Sequence, residues 1–206
     1  MKKKMMALTA AVTFAGVVWG CNNLTNETEH KVEASQTKVA PSHGEITKNS
    51  SFNAESTIKG TKVISAEAIN ELFKTDKESK LIGLGDAVYK VSIENGIEPG
   101  FIAALMYYET INGQSKFVTE KNNVLGVLDK SGNGAVTFKK FASLEEGLTE
   151  QVVNFRQSYL NKGLVTLDKF GKRYAPTWDK QVNNGKEWSD VISEIMNKQL
   201  DIQNKL

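Results

Sequence analysis

The sequence predicts a mainly helical fold of the α+β class, with one small β-hairpin inserted between its helices. Apolar residues recur at helical spacing in several segments between residues 65 and 200. An uncharged and largely apolar run, Phe101 to Tyr108, follows Pro99, a residue suited to the first turn of a helix. Between Asn122 and Phe141 the pattern changes to two short runs typical of strands, separated by turn-forming residues.

Three helices are predicted before the hairpin. Ser65 is the expected cap of the first, which carries three apolar residues on one face. The second is expected over residues 77–94 and ends at the stop signal Asn95-Gly96. The third, residues 99–110, is apolar around its whole circumference, so we expect it inside the core.

The predicted hairpin and the helices that follow it complete the domain. Residues 130–134 have turn chemistry, which places a strand on each side of them. Ser143 and Glu146 form a capping box at the start of a long amphipathic helix. The expected elements are strands over 124–128 and 135–141 and helices over 143–161, 166–173 and 189–200.

The first 20 residues resemble an export signal. Lys2, Lys3 and Lys4 precede an uncharged run from Met5 to Gly20, which is shorter than the roughly 20 residues that a membrane-spanning helix needs. A cysteine then follows a small residue, as in bacterial lipoprotein signals, although Trp19 departs from the usual pattern. We expect acylation of Cys21, the only cysteine, and anchoring to the outer face of a bacterial membrane; the alternative is an ordinary signal peptide with an incidental cysteine.

Residues 21–61 are predicted to be a disordered tether, and residues 62–206 the folded domain. The tether is rich in polar residues and has only scattered apolar ones, so it buries too little surface to offset the entropy of ordering. The only histidines, His30 and His43, lie within it. From Lys62 onward the chain has neither His nor Cys, which excludes Ser-His-Asp and Cys-His catalysis and zinc held by such ligands. We expect no metal and no cofactor.

Glu109 is the candidate catalytic acid. It follows the apolar run of the third helix, and Asn112-Gly113 predicts that the helix ends there. Apolar neighbours and the negative end of the helix dipole both disfavour the ionised carboxylate, so the pKa of Glu109 should rise toward neutrality. A general acid needs such a pKa. The alternative is a surface carboxylate just beyond a helix end.

Four motifs occur in order between Glu109 and Trp188. They are Glu109-Thr110-x-x-Gly113-x-Ser115, Asn122-Asn123-Val124-Leu125-Gly126-Val127, Phe141-Ala142-Ser143-Leu144-Glu145-Glu146-Gly147, and Tyr174-Ala175-Pro176 followed by Trp178 and Trp188. In kind and order they resemble the motifs of the bacterial glucosaminidases of glycoside hydrolase family 73, which have a lysozyme-like fold. The chain departs from many members at Ile111-Asn112, where they carry Gly-Trp.

The resemblance implies hydrolysis of the β-1,4 bond after N-acetylglucosamine in peptidoglycan strands, with Glu109 protonating the leaving oxygen. It also implies that the hairpin and Tyr174 line the sugar groove. Sugars bind amide and phenol groups and stack on aromatic faces. The predicted substrate-binding residues are therefore Tyr108, Asn122, Asn123 and Trp178, with Tyr107 a further aromatic candidate. Each has an alternative: a simple turn for the asparagines, core packing for the tyrosines and a surface lid for Trp178.

Two mechanisms are open after the first proton transfer. Asp129, the one acid in the hairpin region, could act as a general base at the wide separation expected for inversion. Alternatively, the substrate's own N-acetyl group could stabilise the developing oxocarbenium, with Tyr174 positioning it.

Two other functions compete with the glucosaminidase. One is a lytic transglycosylase, which also needs a single acid but leaves an anhydro-muramic end. The other is a wall-binding lipoprotein that keeps the groove without activity. The predicted partners are peptidoglycan strands and a membrane reached through Cys21; we expect a monomer. The lysines of residues 2–4 account for three of 26 basic residues against 24 acidic ones, which leaves no broad basic field for nucleic acid.

Overall fold

The computed structural model describes residues 51–129, 137–179 and 185–206. The predicted signal, Cys21, His30 and His43 lie outside the described residues, as does the predicted turn over 130–134. Within the described ranges no helix has the length and apolar content that crossing a bilayer requires. The elements found there are α1 (Ala66–Phe73), α2 (Gly85–Glu94), α3 (Pro99–Glu109), α4 (Lys116–Lys121), β1 (Leu128–Asp129), β2 (Thr137–Phe138), α5 (Leu144–Ser158), α6 (Leu167–Tyr174) and α7 (Trp188–Gln203), with a 3₁₀ turn at Leu160–Lys162.

Helix α3 is the central element of the fold. Every side chain from Phe101 to Met106 is fully buried, because α1, α2 and α7 pack around it. A helix that is apolar on all sides is stable only in such surroundings. The prediction of a buried third helix in a mainly helical fold is confirmed.

An aromatic cluster fills the core between α3 and the later helices. Phe170 lies at its centre, with its ring centroid 4.9 Å from Phe101 and 4.3 Å from Tyr159. Phe155 of α5 and Trp188 of α7 contact the same ring. Edge-to-face and stacked arrangements of this kind add to the burial energy of the rings. The cluster fixes α6 against the rest of the domain.

In the part of the hairpin that the structure describes, fewer residues pair than predicted. Leu128 lies opposite Phe138 and Asp129 opposite Thr137 in an antiparallel register. Val124 and Leu125, predicted to begin the first strand, are instead buried in the hydrophobic core. The hydrophobic side chains of this short run therefore reflect burial in the core. Periodicity alone does not distinguish such a buried run from a strand.

The predicted helix caps are confirmed, but one helix boundary is wrong and one helix was missed. The Ser65 side chain accepts a hydrogen bond from the backbone N–H of Ala68, and that of Ser143 accepts one from Glu146. Helix α2 begins at Gly85 rather than near residue 77, because Gly83 has a left-handed backbone with φ of 89° that interrupts the helical pattern. Helix α4, only six residues long, had no recognised sequence signal.

The folded domain begins earlier than the predicted boundary between residues 61 and 62. Ile58 is fully buried, and its backbone N–H donates to the carbonyl of Val165 at 2.8 Å. The backbone N–H of Glu98 donates to the carbonyl of Ile58, also at 2.8 Å. The composition of this stretch resembles a tether, but its one large aliphatic residue enters the core. Residues 51–61 therefore belong to the domain.

Candidate active site

Glu109 is the last residue of α3, and its side chain is half-buried. The next residue, Thr110, is fully buried and closes the helix end. Its hydroxyl donates to the carbonyl of Met106 at 2.5 Å and accepts from the backbone N–H of Gly113 at 2.7 Å. These bonds join the end of α3 to the turn that follows it. The carboxyl group of Glu109 is thus presented from a rigid element.

The pKa of Glu109 is raised to about 7, mainly because burial removes water from its carboxylate. A hydrogen bond with the side chain of Tyr174 acts in the opposite direction, since it favours the ionised form. Burial is the stronger of the two effects. The predicted direction of the shift is confirmed, and a large fraction of the Glu109 side chains carry a proton at neutral pH.

Tyr174 ends α6 and brings its hydroxyl group to Glu109. Only 8% of the residue is exposed. Its ring lies 5.9 Å from that of Phe155 and 5.6 Å from that of Trp188. Burial, followed by the nearby Glu109 charge, raises the pKa of Tyr174 well above its ordinary value, so the phenol stays protonated and can donate. The aromatic cluster therefore orients a hydrogen-bond donor at the carboxyl group.

Tyr108, which directly precedes Glu109 in the chain, forms an aromatic pair with Trp178. Their ring centroids are 5.9 Å apart, and both side chains are half-buried. Burial, followed by the charge of the adjacent Glu109, raises the pKa of Tyr108. The indole N–H of Trp178 donates to the carbonyl of Lys186 at 2.9 Å and fixes the ring. The pair offers partly exposed aromatic surface beside Glu109.

Tyr107 is directed toward α7 instead. The ammonium group of Lys198 lies 5.1 Å from the centroid of its ring. This cation–π contact ties the end of α3 to the last helix.

The asparagines of the hairpin motif hold the base of the hairpin. Asn123 is fully buried; its amide donates to the carbonyls of Val127 and Lys139, and its oxygen accepts from the N–H of Val127. The prediction that Asn123 binds substrate is therefore wrong, because no part of its side chain reaches the surface.

Asn122 links the end of α4 to the residues that precede α5. It has a left-handed backbone with φ of 54°, and its side-chain amide donates to the carbonyls of Phe141 and Ala142, each at 3.1 Å. These two bonds occupy both amide hydrogens, so Asn122 has no donor left for a sugar. Its predicted role in substrate binding stays a prediction.

Asp129 ends β1, where it lies opposite Thr137 and is half-buried. Its predicted role as a base stays a prediction. Within the described residues, no group of three or more His, Cys, Asp and Glu side chains converges as a metal site would require.

A cavity of about 190 Å³ lies between α6, Trp178 and the start of α7. Asp168, Lys172, Glu187 and Trp188 are among its lining residues, whereas Glu109 is not. It is smaller than the roughly 300 Å³ at which small-molecule sites usually begin. We therefore place the candidate site at the Glu109 carboxyl group and the exposed aromatic surface beside it.

The full turn that follows Glu109 was not predicted from the sequence. Ile111, Asn112 and Gly113 all have left-handed backbones, with φ of 52°, 48° and 79°. The Asn-Gly pair signals such a turn, but nothing in the sequence shows that an isoleucine would share the conformation. The side chain of Ile111 is 60% exposed.

Comparison with known protein families gives a match over residues 85–200, which is more than half of the chain. The matching family is Glucosaminidase, described as mannosyl-glycoprotein endo-beta-N-acetylglucosaminidase. The chain belongs to the Glucosaminidase family. The match includes α2 to α6 and most of α7, and therefore Glu109, Tyr108, Tyr174 and Trp178. No curated protein sequence gives a significant match to this glucosaminidase-family chain.

Several solved structures resemble this chain at low sequence identity. S. aureus autolysin E in complex with a muropeptide is 15% identical, with a TM-score of 0.50 over 77% of this chain and 75% of that one. A catalytic mutant of the same autolysin with a NAG-NAM disaccharide is 16% identical, with a TM-score of 0.49 over 77% and 75%. A major bifunctional autolysin is 18% identical, with a TM-score of 0.46 over 74% and 66%. At such identities the likeness to autolysin E establishes the lysozyme-like fold, and the chemistry has to be argued from this chain's own site.

Proposed function

We propose that this chain is a peptidoglycan hydrolase, an endo-β-N-acetylglucosaminidase that cleaves the β-1,4 bond after N-acetylglucosamine. The observation that carries the proposal is the environment of Glu109, a half-buried carboxyl group with a pKa of about 7 that is bonded to Tyr174. A general acid works best with a pKa close to the working pH. Membership of the Glucosaminidase family and the muropeptide bound by autolysin E support the choice of substrate.

In the proposed reaction, protonated Glu109 donates its proton to the glycosidic oxygen while the bond from that oxygen to the sugar's C1 breaks. Positive charge develops on the sugar ring as an oxocarbenium ion, and the departing sugar leaves as an alcohol. Glu109 becomes a carboxylate at this point. The Tyr174 hydroxyl then stabilises the new negative charge through the hydrogen bond that already favours this form.

Two routes complete the hydrolysis. In one, Asp129 removes a proton from a water molecule that attacks C1, which gives inversion. In the other, the oxygen of the substrate's N-acetyl group bonds to C1 as the glycosidic bond breaks, with Tyr174 positioning that group. Water then attacks C1, the bond to the acetyl oxygen breaks, and the proton of the water passes to the Glu109 carboxylate. The product's anomeric configuration separates them, because only the second route retains it.

The substrate-binding surface in this proposal consists of Tyr108 and Trp178. Their partly exposed rings lie beside Glu109, where a pyranose ring can pack its C–H face against them. A lipid anchor on Cys21 and a tether shortened to residues 22–50 would hold this monomeric enzyme at a membrane surface within reach of the wall. Replacement of Cys21 by Ser should then move the protein from the membrane fraction to the soluble fraction.

The test is digestion of purified peptidoglycan by the full chain beside the Glu109→Gln variant, with mass analysis of the products. We expect fragments ending in reducing N-acetylglucosamine, and a decrease of at least about 100-fold in the variant because general acid catalysis is lost. Anhydro-muramic ends would identify a lytic transglycosylase instead. Wall binding without new reducing ends would identify the non-catalytic lipoprotein.

The control for this experiment is the stability of the Gln variant. Because burial raises the pKa of Glu109 from 4.5 to about 7, the folded chain loses stability as the pH rises between these two values. Glutamine has no such ionisation, so the variant should unfold no more easily than the native chain at pH 8. If the Gln variant is inactive because it is unfolded, the pH profile of the Tyr174→Phe variant tests the role of Glu109 instead.

A further inference from the structure

Ile111 combines an unfavourable backbone conformation with an exposed apolar side chain. Its φ of 52° lies in the left-handed region, which is rare for β-branched residues because Cβ crowds the backbone there. The side chain is 60% exposed, so burial does not compensate for this conformation. Among the large apolar residues of the described ranges, only Leu206 at the end of the chain is more exposed.

The neighbouring residues impose this conformation on Ile111. Asn112 is buried; its oxygen accepts from the Ser79 hydroxyl and its amide donates to the carbonyl of Phe73, each at 3.1 Å. Its backbone N–H donates to the carbonyl of Tyr107 at 2.8 Å. Gly113 passes so close to the backbone that an added Cβ would lie 2.8 Å from the nitrogen of Lys80. Strained residues persist where the surrounding structure fixes them in this way.

The fold explains the turn but not the isoleucine. A glycine or an asparagine would adopt the same backbone with less strain, as Asn112 and Gly113 do beside it. The one feature that distinguishes position 111 is its place two residues after Glu109, at the end of the helix that presents the acid. Strain retained at such a place is typical of residues that contact a ligand.

We propose that Ile111 is a specificity-determining residue whose side chain contacts an apolar part of the sugar bound beside Glu109. The proposal rests on the proposed function. N-acetylated sugars present a C–H ring face and an acetamido methyl group, and an aliphatic side chain excludes water from either of them. Ile111 thus supplies apolar contact area on the side of Glu109 formed by the 111–113 turn, in addition to the rings of Tyr108 and Trp178.

The test compares Ile111→Asn, Ile111→Gly and Ile111→Leu in the full chain, with soluble peptidoglycan glycan strands as substrate. Asparagine relieves the strain and removes the apolar surface, so Tm should rise by about 2–4 °C. KM should increase about three- to tenfold, since the contact is open to water on one side. The Gly variant should show a KM similar to that of the Asn variant. The Leu variant keeps an apolar side chain and should retain the native KM. Ile82→Ala, a change at another exposed isoleucine, is the matched control and should leave KM unchanged.

An unchanged KM in the Asn and Gly variants would overturn the proposal, and so would a decrease confined to kcat. A binding measurement distinguishes failure of the Ile111 contact from failure of the proposed function. In the inactive Glu109→Gln background, the affinity for the same strands is compared with and without Ile111→Asn. If the native chain releases no reducing ends but Ile111→Asn still weakens binding three- to tenfold, the glycosidase assignment fails while the contact stands. Equal affinities would refute the contact directly.

Discussion

Glu109 and Tyr174 form a pair whose members affect each other's protonation. Burial raises the pKa of Glu109 to about 7, and the bond with Tyr174 limits that rise. The charge of Glu109 in turn raises the pKa of Tyr174, whose phenol therefore remains a donor. The carboxyl group can then give up a proton near neutral pH and still be stabilised as an anion.

This pair predicts the pH dependence of activity. The acid must be protonated, so kcat/KM should be constant below about pH 7 and fall about tenfold per pH unit above it. Replacing Tyr174 by Phe removes the bond that favours the carboxylate. The pKa of Glu109 should then rise, and the basic limb of the profile should move to higher pH while the maximal rate falls. Both are measured from initial rates between pH 5 and 9.

The control for this profile is Tyr89→Phe on α2, a tyrosine that is not among the groups shifting the pKa of Glu109. Its basic limb should coincide with that of the native chain. A limb that moves to lower pH in Tyr174→Phe would mean that the tyrosine favours the protonated acid instead. That result would contradict the assigned hydrogen bond.

At the scale of elements, the start of α3 depends on Glu98. This carboxylate is fully buried and caps the helix by accepting from the backbone N–H of Gly100 at 3.3 Å. It also accepts from the N–H groups of Val63 and Ile64 at 2.9 and 3.1 Å. One side chain thus joins the central helix to the segment that leads into α1.

Replacement of Glu98 by Gln should weaken this join. Glutamine keeps one acceptor oxygen but places an amide donor where Oε2 of Glu98 accepts from the N–H of Val63 at 2.9 Å, so this N–H keeps only its longer bond of 3.2 Å to the other oxygen. We expect the free energy of unfolding to fall by about 1–3 kcal/mol, measured by urea denaturation. The exposed Glu94→Gln, at the end of α2, should change it by less than about 0.5 kcal/mol. Equal effects in the two variants would show that the cap contributes nothing.

For the whole molecule, the two ends of the described chain are held together. The backbone N–H of Phe52 donates to the Asn197 side chain at 2.7 Å, and the Asn197 amide donates back to the carbonyl of Phe52 at 2.9 Å. The Gln203 side chain likewise bonds Val63 and Ser65. Helix α7 therefore depends on the N-terminal segment as well as on α1 and α3, which pack against it.

Ile58 provides a test of where the domain begins. Since it is fully buried, Ile58→Ala should lower the free energy of unfolding by about 2–4 kcal/mol, through lost burial and a residual cavity. Lys59→Ala, at the exposed neighbouring position, should have little effect. If thermal denaturation shows no difference between the two variants, the segment is a tether after all.

The parts of the site that depend on neighbouring residues in the chain could be predicted, whereas the parts that depend on distant residues could not. Glu109 follows an apolar run and precedes a helix stop, so its burial and raised pKa could be predicted from adjacent residues. Asn123 looked equally suited to a sugar, but its partners include the carbonyl of Lys139 on the far side of the hairpin. Its role depends on a contact that a linear pattern does not reveal.

The mainly helical class, the buried third helix, the helix caps and the candidate acid could all be predicted from the sequence, because each depends on periodicity or on neighbours within a few residues. Only the tertiary structure showed that Tyr174 bonds Glu109, that the asparagines hold the hairpin, that Ile58 enters the core and that Ile111 is strained and exposed. These features join residues far apart in the chain or depend on packing around them. Long-range contacts of this kind are decided when the elements assemble, and no local signal records them.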